Sequence, residues 1–349
     1  MNISNFIGWD IGGAHLKFAN INNNGKILSV GQCATPLWRG LSILENALIN
    51  TIRRIPMKKQ SHALTMTAEL TDIFKDREEG VNSIIDLCHD ILGSNISFYT
   101  IDHGLKKINI KESDFSQIAS ANWHATSTYT ASLVKSGLFI DVGSTTTDII
   151  PFYDHKIHAH GNNDQTRLRF DELVYTGVIR TPIMALTPKA IFNDQLQNIV
   201  AENFATTADI YRILGYLKDS NDLMETPDGE DKSVSSSIRR LARMLGTDSN
   251  TDNKKNNWHE LAKYFHEAQI GILTNAIKRV LSTLPNSNNN VLIGAGVGRF
   301  LVEIIARRMN IAYTEFSELF ECDNISRDGS NLCAPAIAIA QLNRLSKIK

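Results

Sequence analysis

The sequence predicts an α/β fold of two related lobes, and three observations predict it. First, residues 7–14 and 138–145 repeat one pattern: an apolar strand ending in Asp, a hydrophobe, Gly and a second small residue. Second, strand-like alternation and helical periodicity interchange along the chain. Third, 349 residues with 42% hydrophobic side chains suit one large or two moderate domains. Since internal repeats dictate architecture, we expect two lobes that face each other across a central cleft.

The boundary between the predicted lobes falls where the second copy of the pattern begins. Residues 1–136 form the predicted first lobe, and residues 137–333 form the second. The terminal segment 334–349 is rich in alanine at its start, and such small residues suit close helix packing. We therefore expect this segment to be a helix that packs back onto the first lobe.

Local patterns predict the elements within each lobe. Each copy of the repeat begins a β-meander, over residues 6–31 and 138–161. Apolar residues spaced three or four apart, or runs rich in alanine, predict the main helices at 41–55, 81–92, 116–134, 258–284 and 299–309. The polar stretch 219–237, with Pro, Gly and several serines, is predicted to be an exposed insertion.

Charge and cysteine usage exclude several classes of protein. Lys and Arg number 36 and Asp and Glu 37, for a net charge of −1, which argues against a chain-wide nucleic-acid footprint. The four cysteines contain no C-x-x-C pair and indicate reduced thiols. We expect no signal peptide, because the N-terminus reaches a charged strand end at Asp10 too early, and no membrane helix, because no apolar run approaches about 20 residues. These features favour a cytoplasmic protein with small-molecule partners.

The two repeated turns have the composition of phosphate-binding loops. Gly12 and Gly13 follow the first strand, and Gly143 and Ser144 follow the second. Glycine-rich turns expose backbone N–H groups that point at phosphate oxygens, and a Cβ would block close approach. A single turn of this kind is usually only a turn, but two copies in matched strand contexts favour a functional pair.

The carboxylates that close the repeated strands favour a metal. Asp10 and Asp141 cannot touch phosphate directly because like charges repel, so they make sense as Mg²⁺ ligands. Thr145 and Thr146 add hydroxyls to the second turn, which suit the surroundings of a polyanion. Lys17 either neutralises phosphate or lies on the solvent face of its strand.

A third glycine-rich loop follows a later strand. Gly294, Gly296 and Gly298 form G-x-G-x-G, which differs from the dinucleotide fingerprint G-x-G-x-x-G. The strand–loop–helix context favours a nucleotide-type site, whereas close packing of helix on strand explains the glycines equally well.

Several other side chains are candidates for substrate chemistry. Glu69 follows a strand and is either an acid at a helix N-terminus or a catalytic base. Asn122 and Trp123 lie within the alanine-rich helix predicted over 116–134, where Trp123 is either a core aromatic or an aromatic wall for a flat substrate. Tyr175 and Arg180 lie in a stretch that either binds acids through guanidinium groups or carries surface charge.

Longer strings in the sequence resemble a known family. The paired meanders and the later strand–GxGxG–helix resemble the duplicated, ribonuclease H-like fold of actin, sugar kinases and Hsp70. The string 141–148 resembles the hydantoinase/oxoprolinase branch. The strings 8–14, 67–72 with 80–81, 122–123, 143–151, 175–182 and 239–244 resemble, more narrowly, the tetrahydromethanopterin-linked one-carbon pathway family, which includes synthases of methanofuran biosynthesis.

The resemblance implies a transferase that joins an aminomethylfuran methyl diphosphate to the phenol of γ-glutamyltyramine, or of a tyrosine-derived analogue, and releases pyrophosphate. It implies that Asp10 and Asp141 organise Mg²⁺ and that Glu69 is the base. The resemblance also implies that one set of residues binds the diphosphate: Gly12, Gly13, Lys17, Gly143, Ser144, Thr145 and Thr146. Trp123, Asn122, Arg180 and Tyr175 would contact the substrates, and a homo-oligomer is compatible with the family.

Two other functions remain open from the sequence. An ATP-dependent small-molecule kinase or amide hydrolase, as the wider fold suggests, predicts ATP binding at Gly294–Gly298. A non-catalytic nucleotide-binding scaffold predicts nucleotide-dependent assembly without turnover.

Overall fold

The computed structural model describes residues 3, 5–56, 59–107, 112–250, 255–285 and 290–348. The chain forms two compact units. The first unit comprises Met1–Gly137, Phe152–Asp164 and Thr314–Lys349, and the second comprises Leu138–Pro151 and Gln165–Tyr313. Residues 152–164 and 314–333, which the sequence placed in the second lobe, thus group with the first unit.

The first unit is built on a mixed sheet of six strands. Numbered in chain order, they are β1 (Asn5–Ile11), β2 (His15–Asn22), β3 (Ile27–Ala34), β4 (Gln60–Met66), β5 (Ile96–Thr100) and β6 (Gly104–Lys106). The order across the sheet is β3-β2-β1-β4-β5-β6. β1 runs antiparallel to β2 and parallel to β4, and all seven of its residues are buried. The predicted meander 6–31 is therefore the β1-β2-β3 edge of this sheet.

Helices cover the sheet of the first unit. They are α1 (Leu41–Ile52), α2 (Arg77–Leu92), α3 (Glu112–Ile118) and α4 (Asn122–Leu133), with a C-terminal helix, Ala334–Ile348, described below as α11. The C-terminal helix contacts β1, β4 and α4. Gly8 of β1 makes this possible, because a Cβ there would collide with the carbonyl oxygen of Ala336.

The second unit contains the strands that follow the second copy of the repeat. They are β7 (Ser136–Val142), β8 (Thr147–Tyr153), β9 (Lys156–Ile157), β10 (Leu173–Val174), β11 (Lys189–Phe192), β12 (Gln195–Asn198), β13 (Val291–Ala295) and β14 (Ala312–Glu315). The main sheet has the order β10-β8-β7-β13-β14, with β9 paired to β8, and β11 and β12 form a separate hairpin. Three of these strands, β7, β8 and β14, extend at one end into the first unit, and β9 belongs wholly to the first unit.

The remaining helices complete the chain. They are α5 (Asp164–Arg169), α6 (Thr207–Ile213), α7 (Val234–Met244), α8 (Lys255–Leu281), α9 (Arg299–Met309) and α10 (Arg327–Leu332), before α11. The longest, α8, has 27 residues. Of the helices that the structure describes, none is both long and apolar enough to cross a membrane.

The stretch 219–237, predicted to be an exposed insertion, is attached to the second unit by ion pairs and hydrogen bonds of Asp222 and Asp228. Asp222 is only 3% exposed and forms an ion pair with Arg212 of α6. Asp228 accepts hydrogen bonds from Arg240 (3.0 Å) and Arg243 (3.1 Å) of α7. Most residues of the stretch are exposed, as predicted, whereas Asp222 is buried because Arg212 on a neighbouring helix neutralises it.

Candidate functional site

The two glycine-rich turns are closed by the same hydrogen bond. The N–H of Gly12 donates to the carbonyl of His15, and the N–H of Gly143 donates to the carbonyl of Thr146, both at 2.9 Å. Each pair occupies the same positions of the repeat, between an Asp-ending strand and the next antiparallel strand. The repeat seen in the sequence is therefore a repeat of backbone conformation.

The first loop has its carbonyls engaged and its amides available. The carbonyl of Gly13 accepts from the N–H of Leu37 (3.0 Å), and the carbonyl of Ala14 accepts from the N–H of Thr35 (2.8 Å). Within the described part of the chain, the N–H groups of Gly13 and Ala14 donate to no protein acceptor. A loop with occupied acceptors and unoccupied donors favours an anion.

The second loop has the same polarity. The carbonyl of Ser144 accepts from the N–H groups of Ile179 (3.1 Å) and Arg180 (2.9 Å). The N–H groups of Ser144 and Thr145 have no acceptor among the residues that the structure describes. The Ser144 Oγ is buried and likewise lacks a hydrogen-bond partner in that part of the chain. A buried hydroxyl without a partner is costly, which suggests that a ligand supplies one.

The segment after β10 supports the second loop from behind. A Cβ on Gly177 would collide with the backbone of Ser144, so only glycine allows this approach. Gln269 of α8 fixes the segment by donating to Thr176 Oγ1 (2.8 Å) and to the Gly177 carbonyl (2.9 Å). Tyr175 is 62% exposed at the start of the segment. The string 175–177 therefore shapes the loop, with Tyr175 left accessible.

Asp10 lies at the buried end of β1, between two polar neighbours. It pairs in register with Lys17 on β2 and with Thr65 on β4. The Lys17 Nζ lies 3.9 Å from Asp10 Oδ2, and Asp10 is only 4% exposed. Lys17 therefore lies beside the carboxylate, where its charge also reaches the first loop.

Asp141 lies against the third glycine-rich loop. Gly296 has φ +83°, and a Cβ there would collide with Asp141 Oδ1 and the carbonyl of Val142. The N–H of Gly298 donates to that same carbonyl (2.8 Å). The backbone of this loop therefore forms one wall beside the Asp141 carboxylate.

Packing explains the first glycine of that loop as well. A Cβ on Gly294 would lie 2.7 Å from the ring of Tyr313. These close approaches support the packing explanation for all three glycines, while the predicted nucleotide-type role of Gly294, Gly296 and Gly298 stays a prediction.

Glu69 is placed beside the first loop. It lies in a 3₁₀ turn, Ala68–Leu70, directly after β4. The N–H of Thr67 donates to the carbonyl of Ile11 (2.9 Å), which ties this turn to the end of β1. Gly80 of α2 allows the turn to sit close, because a Cβ there would collide with the Glu69 backbone.

The Glu69 carboxyl is buried and only partly satisfied. It is 1% exposed, and Ser120 Oγ donates to its Oε1 at 2.7 Å. Its Oε2 has no hydrogen-bond partner among the described residues. Burial raises the pKa of Glu69, and the Ser120 hydrogen bond offsets part of that shift. A carboxyl with a raised pKa and one unengaged oxygen is suited to accept a proton.

Trp123 and Asn122 begin α4. Trp123 is 3% exposed and packs edge-on against His124, with ring centroids 5.2 Å apart. The Asn122 side chain accepts from the N–H of Trp123 at 2.7 Å. This burial supports the core explanation for Trp123, and a substrate contact by either residue stays a prediction.

Arg167, which precedes the stretch of Tyr175 and Arg180 in the sequence, has structural partners. Arg167 is 2% exposed, and its Nη2 donates to Asp148 Oδ1 (2.6 Å) and to the Glu172 carbonyl (2.9 Å). Asp148 occupies the position in the second copy that Lys17 occupies in the first. The equivalent strand position thus carries an acid–base pair in each unit, with the signs exchanged.

Sequence reasoning missed Ser120. It has φ +50°, a conformation that non-glycine residues rarely adopt, and it supplies the hydroxyl that orients Glu69. No spacing rule connects these two residues, because they lie 51 positions apart.

The structure therefore assembles two groups of candidate residues, one in each unit. The first unit brings Asp10, Lys17, the first loop and the Glu69 turn to the end of β1 and β4. The second unit brings Asp141, the second loop, the backbone of Arg180 and the third glycine-rich loop to the end of β7.

Comparison with solved structures supports the fold class. A nucleotide-free acetone carboxylase matches with a TM-score of 0.54 at 9% identity, over 97% of this chain and 70% of that one. A ROK family glucokinase from Streptomyces griseus, in complex with glucose and AMPPNP, matches with a TM-score of 0.50 at 12% identity, over 98% and 99%. The predicted α/β fold of the actin, sugar kinase and Hsp70 type is confirmed.

The sequence comparisons identify the family. The chain belongs to the hydantoinase/oxoprolinase family, whose model matches residues 60–341. It is 30% identical over 337 residues, 96% of each chain, to the (4-{4-[2-(γ-L-glutamylamino)ethyl]phenoxymethyl}furan-2-yl)methanamine synthase of Methanocaldococcus jannaschii. A protein of the same name from Methanococcus vannielii is 33% identical over 162 residues, 46% of this chain and 72% of that one. The predicted resemblance is confirmed.

Proposed function

We propose that the protein is a transferase of methanofuran biosynthesis, serving tetrahydromethanopterin-linked one-carbon metabolism. It joins an aminomethylfuran methyl diphosphate to the phenol oxygen of γ-glutamyltyramine, or of a tyrosine-derived analogue, and releases pyrophosphate. One observation carries this proposal: the match over 96% of both chains to the Methanocaldococcus jannaschii synthase, whose name describes such a phenoxymethylfuran product. The mixed charge of the chain and its scattered cysteines support a cytoplasmic protein acting on small molecules.

Each loop would bind phosphate oxygens of the diphosphate substrate. Gly13 and Ala14 in the first loop, and Ser144 and Thr145 in the second, offer backbone N–H groups without protein acceptors in the described structure. Amides fixed in this way stabilise negative charge as it develops on the leaving group. Thr146 would add a hydroxyl at the second loop, and Lys17 would add a positive charge at the first.

The residues at the strand ends fit Mg²⁺. Asp10 and Asp141 supply the hard oxygen ligands that Mg²⁺ prefers, and the buried Ser144 hydroxyl lacks a partner among the described residues. No cluster of three or more His, Cys, Asp or Glu suited to a metal occurs in the described ranges, so water and diphosphate oxygens would complete the shell. When bound, Mg²⁺ neutralises charge on the diphosphate.

Glu69 would act on the phenol. The bond between the furan methylene carbon and the diphosphate oxygen breaks, and the electron-rich furan stabilises the resulting cation. The phenol oxygen then bonds to that carbon, and its proton moves to Glu69 Oε2. The raised pKa of Glu69 makes its carboxylate a stronger base than a solvent-exposed one. Tyr175, Arg180, Asn122 and Trp123 would contact the substrates.

The test is pyrophosphate release from the furan diphosphate, measured with and without the phenol and Mg²⁺, with the ether product identified by mass spectrometry. We expect Asp10→Asn and Asp141→Asn to lower kcat by about 100-fold or more. Asp86→Asn and Glu303→Gln, on exposed faces of α2 and α9, are the matched controls. Turnover that needs no phenol, or that both Asp10→Asn and Asp141→Asn leave intact, would contradict the proposal.

A further inference from the structure

A small cavity lies within the second unit, behind the second loop. Its volume is about 170 Å³, and Ile179, Arg180, Thr206, Arg212, Asp222 and Glu225 are among the residues that line it. Pockets that bury a whole drug-sized ligand measure roughly 300–1,000 Å³. This cavity is therefore sized for one end of a substrate.

Part of the cavity wall is held in place by charge. Asp222 pairs with Arg212, accepts from the N–H of Met224 (3.0 Å) and lies 3.6 Å from Lys232 Nζ. The Lys232 Nζ also donates to the Asp222 carbonyl at 2.6 Å. Because both Asp222 and Arg212 are buried, these bonds are protected from water and fix the wall before any ligand arrives.

The cavity offers both signs of charge. Arg180 is exposed, and its guanidinium has no hydrogen bond or ion pair with any described residue. Glu225, with Asp222 beside it, contributes negative charge to the same cavity. Asp222 is already paired with Arg212 and Lys232. The charged groups that the cavity offers a ligand are therefore the Arg180 guanidinium and the Glu225 carboxylate. A group that carries both charges, such as an α-amino acid, satisfies both walls.

Arg180 links this cavity to the loop at which the diphosphate is proposed to bind. Its backbone N–H donates to the Ser144 carbonyl at 2.9 Å, so its side chain starts at that loop. The product named for the Methanocaldococcus jannaschii relative carries a γ-glutamyl group on an aminoethyl arm. That arm is about as long as two or three extended residues, roughly 7–10 Å. The arm can therefore separate a reacting phenol from a bound amino-acid head.

We propose that this cavity binds the α-amino acid head of the γ-glutamyl group and thereby selects γ-glutamyltyramine over tyramine. Arg180 receives the α-carboxylate through a guanidinium fork, and Glu225 accepts from the α-ammonium group. This inference rests on the proposed transferase function, but the binding itself does not require turnover.

Two substrate comparisons test the inference. The ratio of kcat/KM for γ-glutamyltyramine to that for tyramine is measured in the wild type and in Arg180→Met, with Arg279→Met, at an exposed pair with Asp171, as the control. We expect Arg180→Met to lower this ratio about 10- to 100-fold, mainly through KM, and Arg279→Met to leave it unchanged. Glu225→Gln should lower the ratio of kcat/KM for γ-glutamyltyramine to kcat/KM for glutaryl-tyramide, a substrate that lacks the α-amine.

Calorimetry with γ-glutamyltyramine separates failure of the inference from failure of the function. Binding to the wild type that weakens at least 10-fold in Arg180→Met supports the cavity even if no pyrophosphate is released with either phenol. An unchanged kcat/KM ratio in Arg180→Met overturns the inference. Absence of binding to the wild type, or equal binding to wild type and variant, overturns it as well.

Discussion

Ser120 donates a 2.7 Å hydrogen bond to Oε1 of the buried Glu69 carboxyl, from a backbone held at φ +50°. An L-residue in this conformation carries strain of order 1–3 kcal/mol, which persists only where surrounding structure enforces it. The neighbouring ion pair of Arg77 with Asp164 (3.0 Å) adds charges of both signs near the same carboxyl. The protein thus maintains a strained residue to orient an acid that burial alone would leave less ionised.

Stability should depend on pH through Glu69. Its pKa is raised in the folded protein above the ordinary value of 4.5, so the folded state binds this proton more tightly than the unfolded state. The stabilisation is full below pH 4.5 and is lost as pH rises through the raised pKa. Glu69→Gln removes the titrating group and therefore this loss of stability. As pH rises from 4.5 through the raised pKa, the free energy of unfolding of the variant should increase relative to that of the wild type. Urea denaturation at a series of pH values measures it.

The hydroxyl of Ser120 can be isolated in the same experiment. Ser120→Gly removes both the hydrogen bond and the strain at φ +50°, but only the loss of the hydrogen bond changes the pKa of Glu69. That bond lowers the pKa of Glu69, so its loss should extend the pH window upward. Glu45→Gln, on the exposed face of α1, is the control. If Glu69→Gln and Glu45→Gln share the pH dependence of the wild type, the assignment is wrong.

Gly296 should not tolerate a side chain. An alanine there would place its Cβ against Asp141 Oδ1 and would occupy a left-handed φ of +83°. We expect Gly296→Ala to lower the free energy of unfolding by about 3 kcal/mol and to impair turnover through Asp141.

A second glycine provides the matched control for Gly296. Gly271 lies exposed in α8, and a Cβ there would meet nothing within 4 Å. Gly271→Ala should therefore stabilise the protein by about 0.5–1 kcal/mol, because alanine favours helix. If Gly296→Ala and Gly271→Ala change the free energy of unfolding equally in denaturant titrations, the third loop does not need the close approach of Gly296 to Asp141 and Val142.

Arg240 should be far more important for stability than its neighbour Arg239. Arg240 is fully buried and donates to Asp209 Oδ1 (2.8 Å) and Asp228 Oδ1 (3.0 Å). Arg240→Met leaves the buried Asp209 with much less compensating charge, at a cost of about 3–5 kcal/mol. The same change at Arg239, which makes a 3.7 Å pair with Glu230 and a 3.2 Å hydrogen bond to Ser236 Oγ, should cost about 0.5 kcal/mol or less. Chemical denaturation of both variants measures these costs. Equal costs would mean that the loss of a positive charge, and not the buried hydrogen bonds of Arg240, explains the destabilisation.

The repeat could be predicted from the sequence because its signals are local. A strand, an Asp and a glycine turn occupy fewer than ten consecutive residues, and the hydrogen bonds of Gly12 and Gly143 follow from that conformation. Helical periodicity likewise located most of the long helices. These features need no knowledge of which distant residues meet.

The hydrogen-bond partners of buried polar groups could not be predicted from the sequence. Ser120 and Glu69 meet only after α3 and α4 pack, and nothing in their spacing indicates contact. The polar composition of 219–237 suggested exposure, yet Asp222 is buried because Arg212 neutralises it. Composition reports the average cost of burying a residue type, whereas burial is decided by the partner that the fold supplies.

Two buried serine hydroxyls separate ligand binding from stability. The Oγ atoms of Ser144, in the second loop, and Ser127, in α4, both lack hydrogen-bond partners in the described part of the protein. Removing an unsatisfied buried hydroxyl should raise the free energy of unfolding, by up to about 1 kcal/mol, in Ser144→Ala and Ser127→Ala alike. Only Ser144→Ala should also weaken the binding of pyrophosphate with Mg²⁺, by about 5- to 10-fold, since only that hydroxyl lies at the loop. Calorimetry measures the affinity and urea denaturation the stability. If the two variants bind pyrophosphate equally well, Ser144 does not contact the anion.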